Sequence, residues 1–448
     1  MTSAAASAAV RVSERERVLE AYLGAEQHRL AHACLDLARA FHRGGLLIPF
    51  GEGAAASDAA HVTVEFMHPV IVGKRALPAA APSSDPARGL TVERIGRSGD
   101  IALVLAHGPA DTTAEAFLAQ ARDRGLLTIA LSGREPALAD HAFAVPSDDP
   151  AIVQEVQEIT YHVLWELVHV FFEHPRLLEE GCLTCGDVAV QARVVSVEGA
   201  TATVERDGHR EAVAIELVED VKPGAQLLCH AGVALERIDD EPEVEEDPSG
   251  FLYPFLGGEE HSAETVLADV AASTLRKGAD TMALRRMIDF DELASCAQTL
   301  RAALVSGGRL LCFGNGGSAT DAQDAAFDTL DAGWPALALV NDPSTITALG
   351  NDVGFETAFA RQLIPLGRPG DVALAFSTSG SSPSIIAGLE EAHRRGMVTC
   401  ALTGYAGGRL AELPWLDHLL SVPGDYVPRL QEVHATMWHL LIEEVGLR

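Results

Sequence analysis

The stretch VALAFSTSGSSPSIIAGLEEAHRRGMVTCALTG at residues 372–404 decides the fold of this chain. It runs from an apolar segment through a Ser/Gly-rich turn and an amphipathic segment into a second apolar segment. That alternation is typical of a parallel sheet covered by helices. IALVLAHGPADTTAEAFLAQARDRGLLTIALSG at 101–133 aligns with it without a gap, and GEGAAASDAAHVTVE at 51–65 pairs with GNGGSATDAQDAAFD at 314–328. The sequence therefore predicts two copies of one α/β fold.

Each copy is expected to build a parallel sheet and to end in a long helix. In the first copy the apolar runs predict strands at 45–50, 70–72 with 77–80, 101–106, 126–131 and 141–145, followed by a helix over 150–173. In the second copy they predict strands at 309–314, 336–341, 372–377, 398–403 and 418–422, followed by a helix over about 427–446.

The segment between the copies has a different pattern. Short alternating runs are separated by Gly, Asp-Gly and Pro-Gly, which is typical of a small, OB-like β-barrel. DDEPEVEEDPSG follows as a solvated acidic stretch. We therefore expect a first α/β domain at 1–175, a barrel at 182–238, an acidic linker at 239–259 and a second α/β domain at 260–448.

The bulk composition excludes some classes of function. The chain of 448 residues carries a formal net charge of −31, which disfavours binding to nucleic acid or to an anionic membrane surface. It has no apolar run near the ~20 residues that span a bilayer, and no secretory signal is visible at its start. Seven cysteines do not suggest a disulfide framework in so long a chain. We expect a cytoplasmic protein with free thiols.

Two loops of the second copy are candidates for binding a phosphate. GNGGS at 314–318 and STSGSSPS at 377–384 each end a predicted strand and begin a predicted helix. Glycines permit close approach of a ligand, and the free N–H groups of a helix start attract an anion. Ser318 and Ser382 are expected to cap their helices, with Pro383 at a first helical position. The alternative interpretation is that these Ser and Gly residues only form capped turns and bind no ligand.

These residues resemble the SIS (sugar isomerase) fold, and within it the phosphoheptose isomerases that act on sedoheptulose 7-phosphate. The likeness extends through GNGGSATDAQ, VNDPSTITALGNDVGF, STSGSSPS, TGYAGG and RLQEVHATMWHLLIEEV. It implies a phosphosugar ligand held by Asn315, Gly316, Gly317, Ser318, Asp342, Ser377, Thr378, Ser379 and Ser382.

The same family uses a metal and acid/base set, and several members hold zinc. The set is a His and a Glu four residues apart on the helix after GNGGS, with a Gln and a His eight apart on the closing helix. Gln431 and His439 are present here, whereas Asp324 and Asp328 replace the His and the Glu. Two carboxylates favour harder metal ions than an imidazole does. The Asp328 side chain is also shorter than the family's Glu by about one methylene, which moves the candidate base back from the substrate, so we expect impaired isomerase chemistry in this copy.

The first copy has the complementary losses. It keeps His61 and Glu65 at the positions of the family's His and Glu. Gln157 aligns with Gln431 and Trp165 with the second His, and His162 would serve only in a shifted register. Ala106, His107, Gly108 and Asp111 replace the phosphate loop. The two copies could form one composite site, with zinc or another divalent metal on His61, Glu65, Asp324, Asp328, Gln431 and His439 and catalysis by Asp328, His439 and Glu65. Alternatively, the first copy only packs against the second.

The barrel segment carries a metal-site pattern of its own. Cys-Leu-Thr-Cys-Gly at 182–186 and Leu-Cys-His-Ala-Gly at 228–232 supply two soft ligands and an imidazole. The segment resembles the HypC/HupF family of hydrogenase-formation chaperones. That resemblance implies an iron carrying cyanide and carbon monoxide, an Fe(CN)2CO-type unit, bound by Cys182 and His230 with Cys185 as a further ligand.

A structural zinc held by Cys182, Cys185, Cys229 and His230, or an empty relic, are the alternatives for the barrel. Zinc is disfavoured because neighbouring strand residues face opposite sides. The remaining cysteines lie in apolar runs and are expected in the core, at positions 34, 296, 312 and 400.

Taken together, these patterns favour an accessory protein of nickel–iron hydrogenase maturation with a phosphosugar-binding α/β part. Its expected partners are the hydrogenase large subunit and other maturation proteins, and self-association into a homo-oligomer is compatible with the sequence. Two alternatives stay open. One is an aldose–ketose phosphosugar isomerase with an appended metal module, and the other is a non-catalytic SIS scaffold.

Overall fold

The computed structural model describes residues 3–70, 74–81, 92–109, 112–178, 190–206, 209–218, 221–230, 233–238 and 262–446. Residues 1–169 and 267–448, which contain both α/β copies, form one compact unit, and residues 170–266 form a second unit. The predicted fold class is confirmed, since the chain builds two parallel sheets covered by helices and a closed β-barrel.

The first half is a parallel sheet with strands in the order β1-β2-β3-β4. Its strands are β1 (Leu47–Phe50), β2 (Ile101–Leu105), β3 (Leu127–Ser132) and β4 (His141–Ala144). Its helices are α1 (Ser3–His42), α2 (Ala55–Met67), α3 (Val92–Ile95), α4 (Thr112–Asp123) and α5 (Pro150–Phe172). The run at 77–80 forms only an isolated parallel bridge from Ala79 to Leu47. Residues 71–73 of the run predicted before it lie outside the described part.

The second compact unit contains the barrel. It closes in the order β5-β6-β7-β9-β8, formed by β5 (Val190–Glu198), β6 (Thr201–Arg206), β7 (His209–Ala214), β8 (Gln226–His230) and β9 (Val233–Ile238). Small and branched apolar side chains such as Ala192, Val204 and Leu227 fill its interior, as the alternating sequence pattern predicts.

The second half repeats the first with one additional edge strand. Its sheet has the order β11-β10-β12-β13-β14, formed by β10 (Leu310–Gly314), β11 (Ala336–Ala338), β12 (Val372–Ser377), β13 (Val398–Thr403) and β14 (His418–Ser421). The helices are α6 (Ala263–Arg285), α7 (Phe290–Val305), α8 (Gly317–Asp331), α9 (Pro343–Asp352), α10 (Ala358–Leu366), α11 (Pro383–Arg394) and α12 (Val427–Val445). Every residue of β10 and β12 is buried, as expected for parallel strands covered on both faces.

The two halves pack through helices that follow equivalent strands. Helix α2 of the first half lies against α8 of the second, and the long α1 contacts α7 and α12 as well as β3 and β4. Ala8 and Val12 of α1 belong to the same apolar cluster as the core of the second half. Side chains of α2, α5, α8 and α12 are therefore brought together in the interior of this unit.

Candidate functional site

Both predicted phosphate loops lie at one edge of the second sheet. Strands β10 and β12 are parallel neighbours, with Gly314 in register with Phe376, so the loops that follow them lie side by side. The predicted cap at Ser318 is wrong. Gly316, with φ of +59°, occupies the cap position, and the helix begins at Gly317 because glycine tolerates this backbone conformation. Ser382 is at the cap position before Pro383, as predicted, but its hydroxyl makes no capping bond.

The loop at 377–382 is held in place by the turn at 403–408. Gly404 N–H donates to Thr378 O at 2.9 Å. A Cβ on Gly380 would collide with Gly407 O, so this contact needs glycine. Asn315 Nδ2 donates to Ser384 Oγ at 3.0 Å, while its buried Oδ1 has no hydrogen-bond partner. The loop is thus rigidly shaped and keeps polar atoms available for a ligand.

Asp342 bonds within its own helix rather than to the two candidate phosphate loops, 314–318 and 377–384, which we call the cradle. It is exposed and caps α9, where its carboxylate accepts from Ser344 N at 2.9 Å and from Thr345 Oγ1 at 2.5 Å. Its hydrogen bonds are therefore explained by its own helix.

His61 of the first half reaches the cradle of the second half. Its Nε2 lies 3.1 Å from Gln431 Nε2 on α12. A Cβ added to Gly317 would lie 2.7 Å from the same ring nitrogen, so the GNGGS backbone approaches His61 as closely as glycine permits. The phosphate cradle and the family's histidine, which lie in different halves of the sequence, are direct neighbours.

Glu65 and His162 complete a buried group around His61. Ligand atoms of all three residues lie within 4.8 Å of one another. Glu65 Oε1 is 3.7 Å from His61 Nε2, and the rings of His61 and His162 are 5.2 Å apart. His162 Nδ1–H donates to Glu432 Oε1 at 2.9 Å, which leaves Nε2 as the free nitrogen. We call His61, Glu65, His162 and Gln431 the His61 site.

The structure corrects the predicted register of α5. Gln154, not Gln157, is the counterpart of Gln431, because Gln154 Nε2 donates across the interface to Asp324 Oδ2 at 2.7 Å. Gln157 instead donates to Ala106 O. His162, eight residues after Gln154, therefore stands where the family has its second histidine. The signal was present in the sequence, since Gln-Glu-Val occurs at both 154–156 and 431–433.

A pseudo-symmetric group surrounds Asp324. His439 Nε2 lies 3.9 Å from Asp328 Oδ2, and His439 Nδ1–H donates to Glu155 Oε1 at 2.9 Å. Trp438 Nε1 also donates to Asp328. We call Asp324, Asp328, His439 and Gln154 the Asp324 site. The residues predicted as one composite set therefore divide between two sites.

The Asp324 site faces a cavity without a phosphate cradle. The cavity, of about 560 Å³, is lined by Asp328 together with Ala106, His107 and Gly108 at the edge of the first sheet. His107 Nε2 is engaged by Asp58 at 2.8 Å. Glu52, Asp149 and Asp331 add negative charge to the wall, which disfavours a phosphate. Asp111 lies outside the described residues.

Burial and neighbouring carboxylates shift several pKa values. Burial lowers the pKa of His162 well below its usual value, and the nearby His61 adds to this, so His162 is neutral. Burial opposes protonation of His61, but Glu65 and nearby aspartates outweigh it and raise its pKa. Burial, followed by the charges of Asp58 and Glu65 against that of His61, raises the pKa of Asp321 on α8 to about 7.

This shift predicts a pH effect on stability in metal-free protein. Between pH 4 and 7 Asp321 is protonated in the folded state but ionised when unfolded, so its contribution to stability falls as pH rises. Asp321→Asn should therefore gain stability relative to wild type by about 1.4 kcal/mol per pH unit in this range, and the gain should level off above pH 7. Urea unfolding in EDTA measures it, and a constant difference would contradict the shift.

The candidate iron ligands of the barrel are only partly described. Cys182 and Cys185 lie outside the described residues, and His230 is the last residue of β8. Cys229 points into the barrel core and is fully buried, and burial raises the pKa of its thiol to about 11. A zinc site that uses Cys229 is therefore disfavoured. Cys34, Cys296, Cys312 and Cys400 are buried, as predicted.

Comparisons with known proteins find matches to the second α/β half and to the barrel segment. The SIS domain model matches residues 279–404, and the HupF/HypC family model matches residues 188–246. The phosphoheptose isomerase of Solidesulfovibrio magneticus is 45% identical over 168 residues, which cover 36% of this chain and 81% of that protein. That of Aquifex aeolicus is 43% identical over 160 residues, covering 34% of this chain and 83% of the relative.

A solved structure resembles nearly the whole chain. It is the C-terminal domain of glucosamine-fructose-6-phosphate aminotransferase from Francisella tularensis, which covers 97% of this chain and 93% of its own length with a TM-score of 0.56. At 11% identity the likeness shows the fold alone. Among the described helices, not one combines the length and hydrophobicity that crossing a membrane requires. Through its second α/β half the chain belongs to the phosphoheptose isomerase family of SIS proteins, and a HupF/HypC-family barrel separates its two halves in sequence.

Proposed function

We propose that the chain isomerises a phosphorylated aldose–ketose pair of the sedoheptulose 7-phosphate class at one composite site. The cradle of the second half holds the phosphate, and the His61 site supplies the acid/base groups. The observation that carries this proposal is the position of His61, 3.1 Å from Gln431 and directly beside Gly317. The second half keeps the cradle and the first half keeps His61 and Glu65. These retained groups meet at the interface between the halves.

The phosphate is bound by the two loops at the edge of the second sheet. Free N–H groups at the starts of α8 and α11 and the hydroxyls of Ser377, Thr378, Ser379 and Ser382 surround it. Since the turn at 403–408 fixes the loop, little ordering is needed on binding. The sugar then extends toward His61.

Glu65 and His162 carry out the proton transfers. Glu65 has one oxygen near His61, while its buried Oε2 has no hydrogen-bond partner and is free to act as a base. It takes the proton from the carbon beside the carbonyl and returns it to the neighbouring carbon. His162, neutral and with Nε2 free, carries the hydroxyl proton from one substrate oxygen to the other.

The donor set also fits the zinc that several family members hold. His162 Nε2, Gln431 Oε1 and Glu65 Oε2 are buried without hydrogen-bond partners, and two imidazoles with an amide oxygen suit a borderline ion. His61, His162 and Gln431 would hold it beside Glu65, and His162 Nε2 would then be a ligand and could not carry a proton, so the two roles of His162 are alternatives. When bound, the ion would polarise the substrate carbonyl.

Removing one cradle hydroxyl tests phosphate binding. Ser379→Ala should weaken sedoheptulose 7-phosphate binding roughly ten- to a hundred-fold, because a hydrogen bond to a charged group is lost. Calorimetry on the full chain measures it. Ser381→Ala is the matched control, because each hydroxyl accepts one backbone N–H, from Ser381 N for Ser379 and from Arg409 N for Ser381, and only Ser379 is assigned to the phosphate. Equal losses in both variants, or no binding by wild type, would contradict the assignment.

A second candidate function rests on the HupF/HypC match at 188–246. We propose that the barrel handles an iron unit for nickel–iron hydrogenase maturation, with Cys182, Cys185 and His230 as ligands and the hydrogenase large subunit and other maturation proteins as partners. Protein purified without oxygen should carry iron and show infrared bands of cyanide and carbonyl. Cys182→Ala should lose both while keeping isomerase activity. Wild type without iron or bands, from cells that make active hydrogenase, would contradict this role.

A further inference from the structure

We propose that Glu158, Asp321 and His61 bind a first-row divalent cation at a position that shares only His61 with the His61 site. Ligand atoms of these three buried residues lie within 4.8 Å of one another. We call this group the Glu158 site. It joins α5 and α2 of the first half to α8 of the second.

Two carboxylate oxygens in this group lack any partner. Glu158 Oε1 and Asp321 Oδ2 are both buried without a hydrogen bond, in side chains that are 3% and 8% exposed. A buried carboxylate oxygen without a donor is costly, so such a pair calls for a proton or a cation.

Nearby basic side chains are used by other carboxylates. Arg285 is within electrostatic reach of Glu158, but its hydrogen bond goes to Glu155 at 3.0 Å. Arg429 binds Glu166 and lies 3.1 Å from Glu432. Neither guanidinium therefore pairs with Glu158 or Asp321, and the nearby charge that favours an ionised Asp321 is that of His61.

The pseudo-symmetry of the chain provides an internal comparison. Asp58, the counterpart of Asp321, is satisfied by His107 at 2.8 Å, Gln154 at 3.2 Å and Tyr161 at 3.3 Å. The counterpart of Glu158 in the Gln-Glu-Val register is Ala435, so the fold does not require an acid there. Protein groups therefore satisfy the carboxylate of Asp58. Around Asp321 there is instead a second carboxylate, that of Glu158, and both acids have an oxygen without a hydrogen bond, which is what a bound cation requires.

The ligand chemistry selects the ion. Two carboxylate oxygens and one imidazole suit Mn²⁺, Fe²⁺ or Zn²⁺ better than Ca²⁺, which prefers oxygen ligands only. Because His61 also belongs to the His61 site, an ion here would help fix the imidazole that faces the cradle. The inference stands whether or not the chain is an isomerase.

Manganese binding to metal-free full-length protein tests the proposal. In a Glu65→Gln/His162→Gln background, which disables the His61 site, one Mn²⁺ per chain should still bind, as counted from free Mn²⁺ by paramagnetic resonance. Adding Glu158→Gln or Asp321→Asn should weaken binding at least ten-fold, whereas Asp58→Asn should change it less than three-fold. No binding in the background, or an equal loss in Asp58→Asn, would overturn the proposal.

A second measurement uses wild type alone, so its result does not depend on whether a variant folds. Crystals of wild type soaked in MnCl₂ should show an anomalous peak within bonding distance of Glu158 and Asp321. A peak confined to Glu65 and His162, or no peak, would show that the two acids share a proton instead.

Discussion

Glu65→Gln should lower the turnover of sedoheptulose 7-phosphate by roughly 10²- to 10⁴-fold, the usual contribution of a general base, while Asp328→Asn keeps it within a few-fold. The two residues are pseudo-symmetric counterparts on α2 and α8. A catalytic role for only one of them would show which of the two sites is the active one.

The reason for the asymmetry lies in what surrounds each acid. Glu65 stands beside His61, which touches the glycine loop of the cradle. Asp328 accepts from Trp438 and lines a cavity whose loop offers Ala106, His107 and Gly108 where the other half has hydroxyls. We therefore expect a phosphorylated substrate to bind beside Glu65 and not beside Asp328.

Histidine variants extend the test. His162→Ala should reduce turnover strongly and His439→Ala weakly, because only His162 shares a site with Glu65. Assays should separate kcat from KM, since a base acts on kcat whereas loss of the cradle raises KM. Loss of activity in Asp328→Asn with full activity in Glu65→Gln would place catalysis at the Asp324 site and refute the composite site.

The sequence predicted the sheets well because buried parallel strands are short, fully apolar and bounded by turns. It failed on α5 because the loop before β4, at 133–140, is shorter than its counterpart at 404–417, which contains the turn that supports the phosphate loop. Aligning Gln157 with Gln431 allowed for only part of this difference in loop length, so the predicted register of α5 was shifted from the observed one.

The contacts between the halves could not be predicted from spacing. The pairing of His162 with Glu432 joins residues far apart in sequence, and only the packed helices bring them together. The Glu158 site was missed for the same reason, since Glu158 is one acid among many in a strongly acidic chain. Its partner Asp321 lies in GNGGSATDAQ of the other half, and nothing in that motif indicates that Asp321 packs beside Glu158.

The second large effect concerns stability, and Glu155→Gln should destabilise the chain by about 3–5 kcal/mol. Glu155 is fully buried between the halves and accepts from Arg15 at 2.8 Å, Arg285 at 3.0 Å, Thr436 at 2.7 Å and His439 at 2.9 Å. Removing its charge leaves the buried Arg285 without its carboxylate and leaves Arg15 with Glu443 alone, and a buried guanidinium cannot be rehydrated in place.

The pH dependence separates this charge effect from a packing effect. Burial alone would raise the pKa of Glu155, but Arg15 and Arg285 hold it well below its usual range. Its stabilisation is therefore complete above pH 4.5 and is lost only as pH falls toward the lowered folded-state pKa. The difference between wild type and Glu155→Gln should be constant from pH 5 to 8 and shrink in acid. Asp148→Asn, in the exposed pair with Arg134, is the control and should leave the melting temperature unchanged. A stability difference between wild type and Glu155→Gln that persists unchanged in strong acid would contradict this. It would mean that the packing of the side chain, and not its charge, is what stabilises the interface between the halves.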